Sequence, residues 1–156
     1  MNNVVQKNAY LDVNPVIITP DEKIILAKRV HGIVEGNKWH LPGGRVLVGE
    51  CIESALQRHS KRKTGLNVSL GSGSLGKDLV GIYDDPKRDS REHVISLAFF
   101  CKIVGGTIKP SYNVDDVAKF SLKDLKALSI GFDHKKTILD SFKALKRLKK
   151  DIGRIQ

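Results

Sequence analysis

A chain of 156 residues with 40% hydrophobic and 28% charged residues has the length and balance of one packed domain, not of a fibrous or disordered chain. Twenty-seven Lys and Arg against 17 Asp and Glu give a net charge of +10, which favours anionic ligands: phosphate-bearing molecules, nucleic acid or an acidic partner. No apolar run approaches a membrane span, the start "MNNVVQKNAY" has no signal-peptide pattern, and Cys51 and Cys101 match no zinc spacing, so the expectation is a cytoplasmic protein with no membrane contact and two buried free thiols.

In chain order, "AYLDVNPVIIT" reads as a strand, and Pro15 within it predicts an edge or a bulge because proline cannot donate to a ladder. After the turn "PDE", "KIILAKRV" reads as a second strand, so 10 to 30 is a predicted hairpin. "HGIVEGNKWH" is a polar loop whose Trp39 is expected in the core rather than against a ligand. "LPGG" is a turn, followed by a helix over about Glu50 to Lys63. Ile52, Ala55 and Leu56 form its apolar stripe at i, i+3 and i+4, and Gly65 suits a left-handed cap.

"LNVSL" is a short strand and "GSGSLG" a flexible loop. "KDLVGIY" and "HVISLAFFCKIV" are strands separated by the charged loop "DDPKRDSRE". "GGTIKPSYN" is a turn-rich connection and "SLKDLKAL" a short helix with a serine cap. "DHKKTILDSFKALKRLKK" is an amphipathic helix with Ile138, Leu139, Phe142, Leu145 and Leu148 on one side. From 134 to 150 it carries seven Lys/Arg against one Asp, which is either a solvated face or a surface for nucleic acid. Strands, helix, strands, helices is the order of an α+β domain with a mixed sheet.

The stretch "LPGGRVLVGECIESALQRHSKRKTGL" carries a long-range spacing. Gly44 is followed by five residues and Glu50, seven more lead to Arg58, and Gly65-Leu66 close the frame. This resembles the signature of the Nudix superfamily, in which Arg is followed by Glu at the next, fourth and fifth positions. The resemblance implies a Nudix-type α/β/α sandwich with a mixed sheet, over the whole chain as a single domain. In that family the glutamates gather Mg²⁺ on one helix face, since positions i, i+3 and i+4 are neighbours and Mg²⁺ is held by oxygen ligands. Here those positions are His59, Arg62 and Lys63. Only Glu50 survives, with Glu53 one turn on, so Glu50 and Glu53 are metal ligands only if metal binds at all, and Mg²⁺ is doubtful.

A second stretch, "GIYDDPKRDSREHVISLAFF", resembles the ADP-ribose pyrophosphatase branch through Tyr83, Pro86, Arg88, Asp89, Arg91 and His93, and "GFDHKK" resembles the start of that branch's last helix. The resemblance implies a nucleoside diphosphate linked to another group as ligand, ADP-ribose or an NAD-related compound first. Gly43, Gly44, Arg58, His59, Arg62, Lys63, Tyr83, Arg88 and Arg91 are then the candidate ligand-binding residues. Arg88 and Arg91 suit phosphate because guanidinium binds it in a fork. Glu50, Glu53, Asp115 and Asp116 are the candidate catalytic acids, should hydrolysis persist, and the resemblance places Asp115 and Asp116 of "NVDDVAKF" in the family's late acidic loop.

Three readings stay open at this level. The site binds a phosphate-bearing ligand with hydrolysis weak or lost, a different acid set keeps an active hydrolase of nucleoside-diphosphate sugars, or the helix face is merely basic and solvated. A nucleic-acid-binding protein on the same scaffold is the alternative from another class, and a homodimer is left open.

Overall fold

The structure, a computed structural model, describes residues 7–155. Its strands are β1 (Tyr10–Ile17), β2 (Ile24–Arg29), β3 (Trp39–His40), β4 (Gly44–Arg45), β5 (Leu66–Leu70), β6 (Leu79–Tyr83), β7 (Val94–Gly106) and β8 (Val114–Phe120). The helices are α1 (Ile52–Thr64), α2 (Leu75–Asp78) and α3 (His134–Ile155), with a 3-10 turn at Asp124–Ala127. One sheet runs in the order β4-β1-β7-β5, with β6 also paired to β7, and a second runs β3-β2-β8. β1 and β7 are parallel in unbroken register from Tyr10↔Val94 to Ile17↔Cys101, while the other pairs are antiparallel, so the larger sheet is mixed.

β2, the second half of β1 and the first half of β7 are covered on both faces, which explains their continuous apolar runs. Val13 and Ile17 of β1, Ile25 and Ala27 of β2, and Phe99 and Cys101 of β7 belong to one core, which Ala55 and Leu56 of α1 complete. The intervening Val16, Ile24, Leu26 and Ala98 belong to the other, which Tyr83 and Ile138 join. Alternate side chains on a strand point to opposite faces, so these three strands feed both cores. α1 closes one side and α3 the other, giving the α/β/α sandwich.

Several local expectations change. The hairpin over 10 to 30 does not form as a paired ladder: β1 and β2 lie in different sheets, and their only strand-type pairing is the isolated bridge Ile18↔Ile24 just past the end of β1. β1 instead pairs with the long β7 over eight residues, two more than the length of β2. Pro15 makes no bulge, and β4 pairs only with Asp12 and Val13, so the flank beside Pro15 is an edge. "NVDDVAKF" is strand β8 and not a loop, with Val114 and Val117 in the core and Asp115 and Asp116 exposed. "GSGSLG" contains the start of α2, where the Ser74 hydroxyl accepts from the Lys77 N–H.

The serine-capped helix is a 3-10 turn, with the Asp124 carboxylate accepting from both the N–H and the hydroxyl of Ser121. On α3, Ile138 and Phe142 pack inward but Leu139 and Leu148 are exposed. Cys101 is buried as expected, whereas Cys51 is exposed in front of α1, and both thiols are free. Among the described residues no helix is long and apolar enough to cross a membrane.

Candidate functional site

The site begins at the glycine turn. A Cβ on Gly43 would lie 2.1 Å from the Val13 carbonyl oxygen, and one on Gly44 would lie 2.6 Å from Cε1 of His59. Side chains are excluded at both positions, so α1 and β1 press directly on the turn. α1 ends at Gly65, in the left-handed region at φ 80°, with its N–H donating to Lys61 O. One face of α1 is buried through Ala55, Leu56, His59, Ser60, Lys63 and Thr64. His59 and Lys63 are one turn apart on that face, and Arg62 stands at its exposed margin.

Each of these side chains is fixed. Arg58 clasps Glu50, with Nε 2.7 Å from Oε1 and Nη2 2.8 Å from Oε2, and Nη2 also donates to Arg45 O. Leu47 N–H donates to the same Glu50 carboxylate, and together these hold its pKa down to about 2. His59 Nε2 is 2.9 Å from Arg45 O, its Nδ1 is buried without a partner, and burial lowers its pKa to about 4. The ammonium of Lys63 donates to Gly43 O, and burial, aided by Arg29 and Arg62, lowers it to about 8. The Arg62 guanidinium lies 3.2 Å from the centroid of the Tyr112 ring, a cation–π stack.

The loop after β6 supplies the next wall. Arg88 grips Asp133 through two bonds of 2.9 and 2.7 Å, joining "DDPKRDSRE" to the start of α3 across 45 residues. Arg91 is likewise forked onto Asp89, which also accepts from the Arg91 N–H. His134, kept neutral by burial at a pKa of about 3, accepts at Nδ1 from the Leu41 N–H and ties α3 to the glycine turn. Phe132, with φ 53°, faces the same space, with Arg29 and Arg91 each within 6 Å of its ring.

These groups line one open cavity of about 440 Å³. It gathers Gly43, Gly44, Arg58, His59, Arg62, Lys63, Arg88 and Arg91 from the sequence candidates. It does not take in Glu50, Glu53, Asp115, Asp116 or Tyr83. Tyr83 is in the core with its hydroxyl 2.9 Å from Asp140, and Trp39 packs edge-on to Phe120. Sequence reasoning missed Arg29, Arg45, Asp12, Tyr112 and Phe132 as cavity residues. Only "GFDHKK" gave a signal, for Phe132; the others depend on chain pairing. Seven Lys or Arg side chains face three carboxylates there: Asp12, Asp89 and Glu92. Asp12 keeps one oxygen buried without a hydrogen bond, and burial raises its pKa.

The donor set does not fit a hard divalent cation held from α1. Mg²⁺ wants carboxylate oxygens, yet the three helix positions present an imidazole, a guanidinium and an ammonium. Both Glu50 oxygens are committed to Arg58, one of them to Leu47 N–H as well. Among the described residues no group of three or more His, Cys, Asp or Glu is arranged to hold a metal ion.

A family model described as the NUDIX domain matches residues 11–141. An ADP-ribose pyrophosphatase of Methanocaldococcus jannaschii is 40% identical over 124 residues, covering 80% of this chain and 68% of that protein. Against three other curated relatives the chain spans 27%, 52% and 53% of their length. An ADP-ribose pyrophosphatase from Streptococcus suis superposes with a TM-score of 0.70 at 24% identity, over 88% of this chain and 92% of that one. The NUDIX domain of Shewanella oneidensis NrtR complexed with ADP ribose superposes at 0.73 and 19% identity, over 93% and 94%. These two structures share the fold of this chain.

Proposed function

The chain belongs to the NUDIX family, and we propose that it recognises a nucleoside diphosphate linked to a second group, ADP-ribose first, without a metal bridge and with diphosphate hydrolysis weak or lost. The observation that carries this reading is the reversal of charge on the α1 face. Where the family pattern places carboxylates, this chain turns Arg62 and Lys63 toward a cavity whose cations outnumber its carboxylates. A dianionic diphosphate can then contact protein cations directly, through charged hydrogen bonds. The 40% identical relative supports the choice of ADP-ribose. Arg88 and Arg91, each already forked onto a carboxylate, support the cavity walls and offer their remaining donors to the ligand.

Calorimetric titration with ADP-ribose in the presence of a chelator tests this. Binding that persists in chelator, exceeds that of adenosine or ribose, and is accompanied by little release of AMP is the expected result. Affinity that appears only with Mg²⁺, together with rapid turnover, would replace it with an active hydrolase. In that case Asp12, the cavity carboxylate with an unsatisfied buried oxygen, is the first proton acceptor to examine. The exposed lysines of α3 keep nucleic acid as the second reading, which a parallel titration with an oligonucleotide tests, tight binding with a steep loss of affinity in salt favouring it.

A further inference from the structure

Four of the seven cavity cations are neutralised within the fold. Arg45 pairs with Glu92, Arg58 with Glu50, Arg88 with Asp133 and Arg91 with Asp89, each at 2.7 Å. Among the described residues, Arg29, Arg62 and Lys63 have no carboxylate within 4.0 Å. Each is held by an uncharged partner instead. Arg29 Nε donates to Val34 O at 2.8 Å, Arg62 lies on the Tyr112 ring, and Lys63 donates to Gly43 O. Such partners position a charge without cancelling it.

Lys63 and the Arg29 and Arg62 guanidiniums line the same cavity. They are close enough that both arginines disfavour the lysine's charge. Repulsion among positioned cations, one of them 9% exposed, is only partly offset by Asp12 near Lys63 and by Asp89 and Glu35 near Arg29, and an entering anion relieves it further. The three come from two elements, the end of β2 and the last turn of α1, so the cluster is built only by the fold.

We infer that Arg29, Arg62 and Lys63 form a cradle for a diphosphate group, with Arg29 a binding residue that the sequence motifs do not include. The inference rests on the proposed reading that this cavity takes a diphosphate-linked ligand. A diphosphate carries two or more charges and several acceptor oxygens, so it can contact all three cations and compensates more of their charge than a monoanion does. The shared chemistry is that of inorganic pyrophosphate and of a nucleoside-linked diphosphate.

The test is calorimetric titration of inorganic pyrophosphate and of ADP-ribose, both in chelator, against wild type, Arg29→Gln, Arg62→Gln and Lys63→Met, with Lys146→Ala on α3 as control. Thermal melts establish that each variant is folded, and Arg29→Gln, at a half-buried position, keeps the test open if Lys63→Met fails to fold. Each cradle substitution is expected to weaken both ligands tenfold or more, with the control within twofold. Pyrophosphate affinity within twofold of wild type in folded Arg29→Gln would overturn the cradle, as would no pyrophosphate binding by wild type. ADP-ribose bound equally by all variants would refute the cradle and leave the proposed function standing. Pyrophosphate bound through the three residues, with no binding of ADP-ribose, would support the cradle and refute the nucleotide reading.

Discussion

Lys63→Met separates the cost of the buried charge from its use. Burial, with repulsion from Arg29, Arg62 and Arg91 and partial relief from Asp12, lowers the ammonium from 10.5 to about 8. Keeping it charged near neutrality therefore costs the fold about 3 kcal/mol. Methionine retains the bulk and length of the stem but removes the donor to Gly43 O, a loss of about 1–3 kcal/mol. The net expectation at pH 7 is a gain in stability of about 1 kcal/mol, while diphosphate affinity falls. Because the folded value lies below the unfolded one, the unfolded chain holds more protons between about pH 8 and 10.5. The penalty is complete below that window and vanishes above it.

Wild-type stability therefore gains about 2 kcal/mol from this residue between pH 7 and 9.5, and the variant gains nothing from it. Cys101, whose thiol burial pushes up to about 12, acts in the opposite direction but equally in both proteins, so it cancels in the difference. Urea unfolding of the two proteins at both pH values measures the quantity. Parallel curves, with the same pH dependence in wild type and variant, would show that Lys63 is not a strained charge.

Restoring the family pattern with His59→Glu, Arg62→Glu and Lys63→Glu should produce stabilisation by millimolar Mn²⁺ or Mg²⁺ in a thermal shift, where wild type shows none. Stabilisation of wild type by Mg²⁺ that Glu50→Gln abolishes would contradict the charge-reversal argument. Glu50, held to about 2, contributes stability that is present above its unfolded value near 4.5 and is lost as pH falls toward 2. Glu50→Gln should remove that acid-sensitive part and cost about 1–2 kcal/mol at pH 7, read from acid and urea unfolding. Gly44→Ala brings a Cβ against the His59 ring and should destabilise by about 1–3 kcal/mol. Adding His59→Ala should return most of that loss in a double-mutant cycle, and full additivity would place the strain elsewhere.

By itself the sequence determined what depends on spacing along one segment. The helix from Ile52 to Thr64, its apolar residues Ala55 and Leu56, and the left-handed Gly65 follow from local periodicity and conformational freedom. The Gly44–Glu50–Arg58–Gly65 frame identified the family because it records one turn and one helix. The replacement of three glutamates by His59, Arg62 and Lys63 was equally legible, being a matter of residue identity at fixed positions.

Tertiary structure alone decided which charges are free. Arg88 and Arg91, the phosphate candidates of the sequence, do line the cavity, but each is already forked onto a carboxylate, Arg88 onto one 45 residues away. Arg29, on a strand that seemed half of a hairpin, reaches the cavity because β2 joins β3 and β8 instead of β1. Asp115 and Asp116 looked like loop acids but stand on β8, outside the cavity. The Arg91–Asp89 pair is local, two residues apart, but the Arg88–Asp133 pair and the strand partnerships are contacts between distant segments, settled by the packing of the whole core, and local sequence carries no record of them.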